Sequence, residues 1–259
     1  CHIFFNLSVP LWYRRSMAQD MVVAPGWRID EAIDAEFVEL VGDVRDFADN
    51  LETRCPVVLV LDCSASMDGA PIAELNAGIA AFLSDISADP LTRLRLDLAI
   101  VTCGGGIGVA KGFARTAEFA VPALKAAGDT PLGGALLVAL DMIEARKRLY
   151  REAGVPYHRP WLFALSDGAP TDGEVWREAA AAIRQGEREK KLAFFAVGVE
   201  GADFALLAEL SPPDRPPLKL KGVRFGALFR WLSSSMRRLS TARVDPDDID
   251  LPPVEGWAC

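Results

Sequence analysis

Residues 57–66 read VVLVLDCSAS, and this stretch decides the fold. Residues 57–61 form a continuous apolar run rich in valine, which is typical of a strand that is buried on both faces. Asp62 ends the run and opens a D-x-S-x-S loop that contains Ser64 and Ser66. Strands of this kind belong to parallel sheets, where ligands bind beyond the carboxyl ends of the strands. The loop that begins at Asp62 is therefore the first candidate for a functional site.

Strands and helices alternate along the rest of the chain. Strands are predicted at 96–102, 161–165 and 192–199, with an edge strand at 218–220 and another strand near either 109–113 or 118–121. Amphipathic helices are predicted from Pro71, around 136–154, near 175–185, over 203–210 and from Phe225. This alternation predicts an α/β fold in which helices cover both faces of a parallel sheet.

Three loops would meet at the carboxyl edge of that sheet. The first holds Asp62, Ser64 and Ser66, the second holds Thr130 before a helix, and the third holds Asp167 after a strand. Their donors are all oxygen atoms, with two carboxylates and three hydroxyls. Such a set suits a hard divalent cation, Mg²⁺ first, with Mn²⁺ or Ca²⁺ also possible. The simpler interpretation is that these residues form turns and helix caps, with Ser66 or Asp68 before Pro71 and Thr130 before Leu132.

The same motifs resemble the metal-ion-dependent adhesion site (MIDAS) of von Willebrand factor A (vWA) domains. Within that family the chain is most similar to the TerY type, the bacterial cytoplasmic branch associated with tellurite resistance. The resemblance extends over about residues 55–258 and is carried by 128–136, 166–172, 225–240 and the tail around 251–257. Two positions depart from the family's pattern: Cys63 stands where threonine is frequent, and Ala65 stands where glycine is common. Neither supplies a metal-binding oxygen.

The resemblance implies a Rossmann-like, three-layer αβα fold whose mostly parallel sheet has one antiparallel edge strand. It implies that Ser64, Ser66 and Thr130 bind the metal directly and that Asp62 and Asp167 hold it directly or through water. The carboxylate of a protein partner would take the open coordination position. The implied function is a non-enzymatic interaction module of a cytoplasmic stress or tellurite-resistance system. Its partners would include other Ter proteins or a linked kinase and phosphatase pair.

Two other functions remain open at this stage. A Mg²⁺- or Mn²⁺-dependent hydrolase or phosphatase would use Asp62, Asp167 and Asp172, although Ser64 stands where an acyl-phosphate-forming D-x-D loop has its second aspartate. A chaperone-assembly subunit working with an AAA+ ATPase would share the metal site and need a different partner. Asp172 and Glu174 could serve as bases, or they could simply begin the helix near Val175.

Composition narrows the class of partner and the compartment. The chain has 259 residues and a formal net charge of −8, which disfavours binding to nucleic acid or to an anionic membrane surface. No apolar run approaches the roughly 18–20 residues of a membrane-spanning helix. The five cysteines include no C-x-x-C pair and fit a reducing compartment, so we expect a cytoplasmic protein.

Acidic charge is concentrated in residues 30–52, which hold nine acidic residues and one basic residue, Arg45. The spacing of their apolar residues predicts an acidic amphipathic helix, with a stripe formed by Ile33, Phe37, Leu40, Val44, Phe47 and Leu51. This helix would either pack on the domain or dock on a basic partner. We therefore divide the chain into an upstream or non-native extension (1–16, before Met17), an N-terminal segment (17–54), a vWA domain (55–241) and a tail (242–259).

The glycine run at 104–108 resembles a phosphate-binding loop, but it matches neither G-x-G-x-x-G nor the Walker A pattern. We expect it to form a hairpin turn. His158 lies in a loop before a predicted strand, where we expect a surface position.

Overall fold

One six-stranded sheet forms the centre of the chain, which the computed structural model describes over residues 40–115, 119–120, 123–241, 251–254 and 257–258. The strands are β1 (Cys55–Asp62), β2 (Leu96–Cys103), β3 (Ile107–Arg115), β4 (Trp161–Ser166), β5 (Ala193–Gly198) and β6 (Leu218–Lys219). Their order is β3-β2-β1-β4-β5-β6. All neighbouring strands are parallel except β3, which pairs antiparallel with β2 at one edge. The predicted α/β fold with one antiparallel edge strand is confirmed.

Helices cover both faces of this sheet. They are α1 (Ala70–Ala88), α2 (Pro90–Arg95), α3 (Leu132–Glu152), α4 (Gly173–Arg188), α5 (Phe204–Leu210) and α6 (Phe225–Thr241). Side chains of β1 alternate between two buried clusters: Val57, Leu59 and Leu61 pack with α1 and α6, whereas Val58 and Val60 pack with α3 and α4. Every residue of β1 is buried, as its continuous apolar sequence predicts.

Two local features were left open or missed by the sequence analysis. Of the two positions offered for a further strand, 109–113 lies within β3, which begins at Ile107, directly after the glycine turn. Of the alternative at 118–121, only residues 119–120 lie among the described residues, and they are not in a strand. Helix α2 was not predicted, because six residues are too few to show a helical period.

The predicted helix over residues 30–52 is wrong beyond residue 41. Gly42 has a φ of 84°, and the chain then forms a short 3-10 helix at Val44–Phe47. Val44 and Leu51 from the predicted apolar stripe are exposed, at 38% and 68%, whereas Phe47 is buried. Ile33 and Phe37 lie outside the described residues. The physical reason is local: Gly42 takes a left-handed conformation that ends the helix, and Asp43 caps the 3-10 helix that follows. The Arg146 guanidinium lies beside Gly42.

That contact belongs to a buried group that we call the Asp97 cluster: Asp97, Arg54, Arg146 and Tyr150. Oδ2 of Asp97 accepts hydrogen bonds from Nη2 of Arg146 at 2.8 Å and from the Tyr150 hydroxyl at 2.7 Å. Nη1 of Arg54 lies 3.8 Å from Oδ1 of Asp97. The two arginines also donate to backbone carbonyls of the N-terminal segment, Arg54 to Asn50 and Arg146 to Val41. Residues 40–54 are thereby fixed to the domain, which favours packing over free docking for this part of the segment.

The described part of the C-terminal tail also packs on the domain. Trp257 is 2% exposed, and its ring lies 5.3 Å from that of Trp231 on α6. The indole N–H of Trp231 donates to the Pro252 carbonyl at 2.7 Å. Ala258 forms an antiparallel bridge with Leu220, directly beyond β6. The tail therefore pairs with the chain directly beyond the shortest strand.

Over the described residues, no helix combines the length and the apolar character that a membrane crossing requires.

Candidate metal centre

The three predicted loops meet at the carboxyl edge of the sheet. Asp62 is the last residue of β1, Asp167 follows β4, and Thr130 precedes α3. Because β1 and β4 are adjacent parallel strands, their carboxyl ends lie side by side. The backbone N–H of Thr171 donates to the Thr130 carbonyl at 3.0 Å and ties the second loop to the third.

A chain of short hydrogen bonds connects four of the five predicted ligands. The hydroxyls of Ser64 and Ser66 lie 2.9 Å apart, and the Ser66 hydroxyl donates to Oδ1 of Asp167 at 2.7 Å. Oδ1 of Asp62 accepts from the backbone N–H of Ser64 at 2.9 Å. Oxygen donors from two separate loops are therefore within one hydrogen bond of each other.

Thr130, the fifth predicted ligand, lies beside the loop that holds Asp167. It is 6% exposed, and a Cβ placed on Gly168 would lie 3.9 Å from its hydroxyl oxygen, which sets that oxygen beside the Asp167 loop. Within the part of the chain that the structure describes, the Thr130 hydroxyl has no hydrogen-bond partner. The hydroxyl oxygen is not among the fully buried unpaired side-chain atoms of the described residues, so it is accessible and free to bind a ligand.

The two carboxylates of the site, Asp62 and Asp167, have no positively charged side chain to balance them among the described residues. Asp62 and Asp167 are 1% and 9% exposed, and no salt bridge neutralises either carboxylate within the described ranges. Burial raises the pKa of the Asp167 carboxyl, the hydrogen bond from Ser66 offsets part of this rise, and the charge of Asp62 adds to it. A divalent cation would satisfy both carboxylates and the free hydroxyl.

The composition of the donor set restricts the choice of metal. No group of three or more His, Cys, Asp or Glu side chains is placed to hold a metal ion among the described residues. The thiol within the D-x-S-x-S loop, Cys63, is buried, and its pKa rises to about 12 chiefly because of that burial. Two carboxylates with three hydroxyls therefore remain as donors, and this all-oxygen set fits Mg²⁺, Mn²⁺ or Ca²⁺ better than a soft metal.

Ser166 is a site residue whose role the sequence analysis missed. Its side chain is fully buried, and its hydroxyl donates to Oδ2 of Asp62 at 2.6 Å. With the Ser64 N–H on Oδ1, this bond fixes both oxygens of the Asp62 carboxylate. The only sequence signal is its position, as the last residue of β4 and the neighbour of Asp167.

The glycine run at 104–108 forms the predicted hairpin turn, but it also supports the site. A side chain at Gly104 would overlap the Cys63 carbonyl and lie 2.9 Å from the Ser64 nitrogen. The Gly105 N–H donates to the Asp129 carbonyl at 3.3 Å. The turn therefore packs backbone against backbone beneath the D-x-S-x-S loop, which requires glycine at position 104.

Asp172 and Glu174 begin the helix near Val175, as one of the two interpretations predicted, and the Asp172 side chain has a further role. Its carboxylate accepts hydrogen bonds from the backbone N–H groups of Gly133 at 3.2 Å and Gly134 at 2.7 Å. It therefore caps α3, the helix that follows Thr130, although it stands at the start of α4. Glu174 lies in the first turn of α4 and is exposed. His158 lies at the opposite edge of the sheet, where its backbone N–H donates to the Arg54 carbonyl at 2.8 Å. The residue is half-buried and its ring Nε2 is buried, so the expected surface position is wrong.

The sheet order, the antiparallel edge strand and the placement of these three loops define the fold of von Willebrand factor A domains. Solved structures with this fold include the pilus adhesin SpaC from Lactobacillus rhamnosus GG, with a TM-score of 0.59 and 13% identity over 72% of this chain and 30% of that one. Proximal thread matrix protein 1 from the mussel byssus has a TM-score of 0.50 and 11% identity over 71% of this chain and 48% of that one.

A further structure of the mussel protein has a zinc-occupied MIDAS motif and aligns with a TM-score of 0.47 and 11% identity. The chain spans about half of the mussel protein and less than a third of the adhesin. No protein-family model matches the chain. No curated protein matches it either. At these identities the shared property is the fold.

Proposed function

We propose that the chain is a metal-dependent protein-interaction module that binds a partner carboxylate through a divalent cation. The observation that carries this proposal is the linked donor set at the sheet edge: Asp62, Ser64, Ser66 and Asp167 joined by hydrogen bonds, with the Thr130 hydroxyl unpartnered among the described residues beside them. These five residues would hold the cation, Mg²⁺ first. The bound cation would supply positive charge and a free coordination position to an acidic side chain of the partner.

The residues around the donors support binding rather than turnover. Asp172, the third carboxylate that a hydrolase would need, already accepts two backbone hydrogen bonds at the start of α3. The hydroxyl donors contribute no charge, so the cation remains electrophilic toward an acidic ligand. The likeness to an adhesin and to a matrix protein is consistent with an interaction role.

The cellular context follows from the sequence resemblance alone. Residues 128–136, 166–172 and 225–240 resemble the TerY type, so we place the chain in a bacterial cytoplasmic system for tellurite or general chemical stress. Its partners would be other Ter proteins or a linked kinase and phosphatase pair.

Isothermal titration with MgCl₂ and MnCl₂ tests the metal site directly. We expect binding by the wild type and at least about tenfold weaker binding by Asp62→Asn and Thr130→Val, because each removes one donor while keeping the side-chain shape. Thr92→Val is the matched control. Thr92 is fully buried in α2, away from the candidate metal centre, and its hydroxyl lies 3.2 Å from that of Ser240 on α6. This control should lose stability without losing metal affinity.

A pull-down from the native lysate then tests the interaction. The wild type should capture a partner only when Mg²⁺ is present, and Asp62→Asn should capture none. Folded variants are verified by circular dichroism. Hydrolysis of a phosphate ester by the wild type with Mg²⁺ or Mn²⁺, abolished in Asp62→Asn, would instead establish the hydrolase.

A further inference from the structure

The carboxyl edge of the sheet is strongly acidic beyond the two candidate ligands. Five segments lie at this edge. Four follow the strands β1, β2, β4 and β5 and are residues 62–69, 104–106, 167–174 and 199–203. The fifth precedes α3 and is residues 123–131. Together they contain eight acidic residues and one basic residue, Lys125. The loop after β6 adds Lys221 and Arg224, but β6 is the outermost strand, at the end of the sheet.

Four of the acidic residues are exposed and surround the candidate metal centre: Asp68, Asp129, Glu174 and Glu200. We call them the acidic rim. Asp68 lies two residues after Ser66, and Asp129 precedes Thr130. Glu200 precedes Gly201, where a Cβ would lie 2.8 Å from the Asp167 carbonyl oxygen. The rim is thus contributed by three loops and the first turn of α4.

The rim carboxylates have no internal counter-charge. None of the four forms a salt bridge or a hydrogen bond within the described residues. Some acidic residues elsewhere are paired, such as Glu187 with Arg159 at 2.6 Å. The carboxylates of Asp49, Glu152, Glu209 and Asp214 also lack partners among the described residues, so what distinguishes the rim is that its unpaired carboxylates are grouped at one edge. Like charges without partners repel each other, so a ligand that brings positive charge to this edge is favoured.

A second feature, the Thr130 side chain, points to a ligand at this edge. Thr130 is only 6% exposed and lies at the centre of the rim. Its hydroxyl has no hydrogen-bond partner among the described residues. One divalent cation balances Asp62 and Asp167 but leaves the four rim charges unbalanced. A bare acidic peptide approaching the cation would therefore be repelled by the rim.

We propose that the partner segment recognised at this site is basic, with lysine or arginine residues on either side of the single carboxylate that reaches the metal. This inference rests on the proposed function and adds the chemical class of the partner. The carboxylate would supply the contact with the cation, and the flanking cations would face Asp68, Asp129, Glu174 and Glu200. Exposed charges act over about 8–10 Å at moderate salt, so the rim affects approach as well as binding.

The test uses three immobilised synthetic peptides at high density, each with a central aspartate. The flanking residues are lysine in the first peptide, glycine in the second and glutamate in the third. The full chain is passed over them by biolayer interferometry with Mg²⁺, with EDTA, and at low and high NaCl. We expect the lysine-flanked peptide to bind about tenfold more tightly than the glycine-flanked one at low salt, with the advantage falling at high salt.

Two variants separate the rim from other surface charge. The rim variant combines Asp68→Asn, Asp129→Asn, Glu174→Gln and Glu200→Gln. The matched control neutralises four exposed carboxylates away from the site: Asp49→Asn, Glu152→Gln, Glu209→Gln and Asp214→Asn. The rim variant should bind the lysine-flanked and glycine-flanked peptides equally, whereas the control should keep the wild-type preference.

The outcomes separate this inference from the proposed function. Equal metal-dependent binding of lysine- and glycine-flanked peptides by the wild type, or an unchanged preference in the rim variant, overturns the basic-partner inference and leaves the interaction module intact. Absence of binding to any aspartate peptide with Mg²⁺, or binding that persists in EDTA, overturns the proposed function and this inference with it.

Discussion

Asp97→Asn should be one of the most destabilising conservative substitutions in the chain. The Asp97 carboxylate is fully buried, and its Oδ2 accepts from Arg146 at 2.8 and 3.3 Å and from Tyr150 at 2.7 Å. Replacing it with the isosteric amide leaves the guanidinium groups of Arg146 and Arg54 buried without a full negative charge. Removing one partner of a buried ion pair costs about 3–5 kcal/mol.

Urea unfolding, followed by tryptophan fluorescence and circular dichroism, measures this loss. Thermal unfolding gives a second measure. For a domain of this size each kcal/mol of lost stability lowers Tm by about 2–4 °C, so we expect Tm to fall by about 6–20 °C. Hydrogen exchange should also rise in residues 40–54, because Arg54 and Arg146 hold that segment through the Asn50 and Val41 carbonyls.

Two variants show whether the buried charge is responsible. Glu52→Gln breaks the exposed pair with Arg95, whose side chains are 45% and 21% exposed, and should cost less than about 1 kcal/mol. Tyr150→Phe removes one hydrogen bond to the carboxylate and should cost about 1.5–3 kcal/mol. A loss below about 1 kcal/mol for Asp97→Asn would refute the reasoning, since it would mean that the cluster needs no charge balance.

Three further predictions concern the support of the site, the thiols and the tail. Gly104→Ala should weaken Mg²⁺ binding at least about tenfold, because its methyl group would overlap the Cys63 backbone; Gly226→Ala, where a Cβ meets only Arg230 at 3.6 Å, should leave the titration unchanged. Cys55 and Cys103 should resist iodoacetamide at about pH 8 until urea is added, because burial raises their thiol pKa, to about 12 for Cys55. Peptide mass spectrometry checks this, and labelling at the rate of a free thiol would contradict it. Trp257→Ala should cost about 3–5 kcal/mol in urea unfolding, since the buried ring packs on α6; a cost below about 1 kcal/mol would show that the tail is not part of the core.

The sheet and the position of the site were predictable because both depend on local sequence. The apolar run at 57–61 is complete within five residues, and a parallel strand places the next residue, Asp62, at the carboxyl edge. Ser166 and Gly104 were assigned no role at the site, because their importance comes from contacts with residues distant in sequence. Ser166 contacts Asp62, and Gly104 packs against Cys63.

The Asp97 cluster was not predicted for the same reason. Asp97 lies in a strand that reads as apolar, and its partners come from positions 54, 146 and 150. The predicted helix through residue 52 was wrong because apolar spacing was followed past Gly42 and Asp43, which end one helix and cap the next. Long-range polar contacts explain the cluster, whereas local turn and cap residues explain the end of this helix.

The tail has a consequence for self-association. A sheet with two unpaired edges can add strands at both ends and grow into a filament, whereas a sheet with one unpaired edge can join only one further copy. The bridge between Ala258 and Leu220, together with the Lys221 N–H on the Trp257 carbonyl at 2.9 Å, occupies the backbone beyond β6. A further copy that paired edge to edge directly beyond β6 would therefore have to displace residues 257–258, so the tail disfavours growth of the sheet at that end.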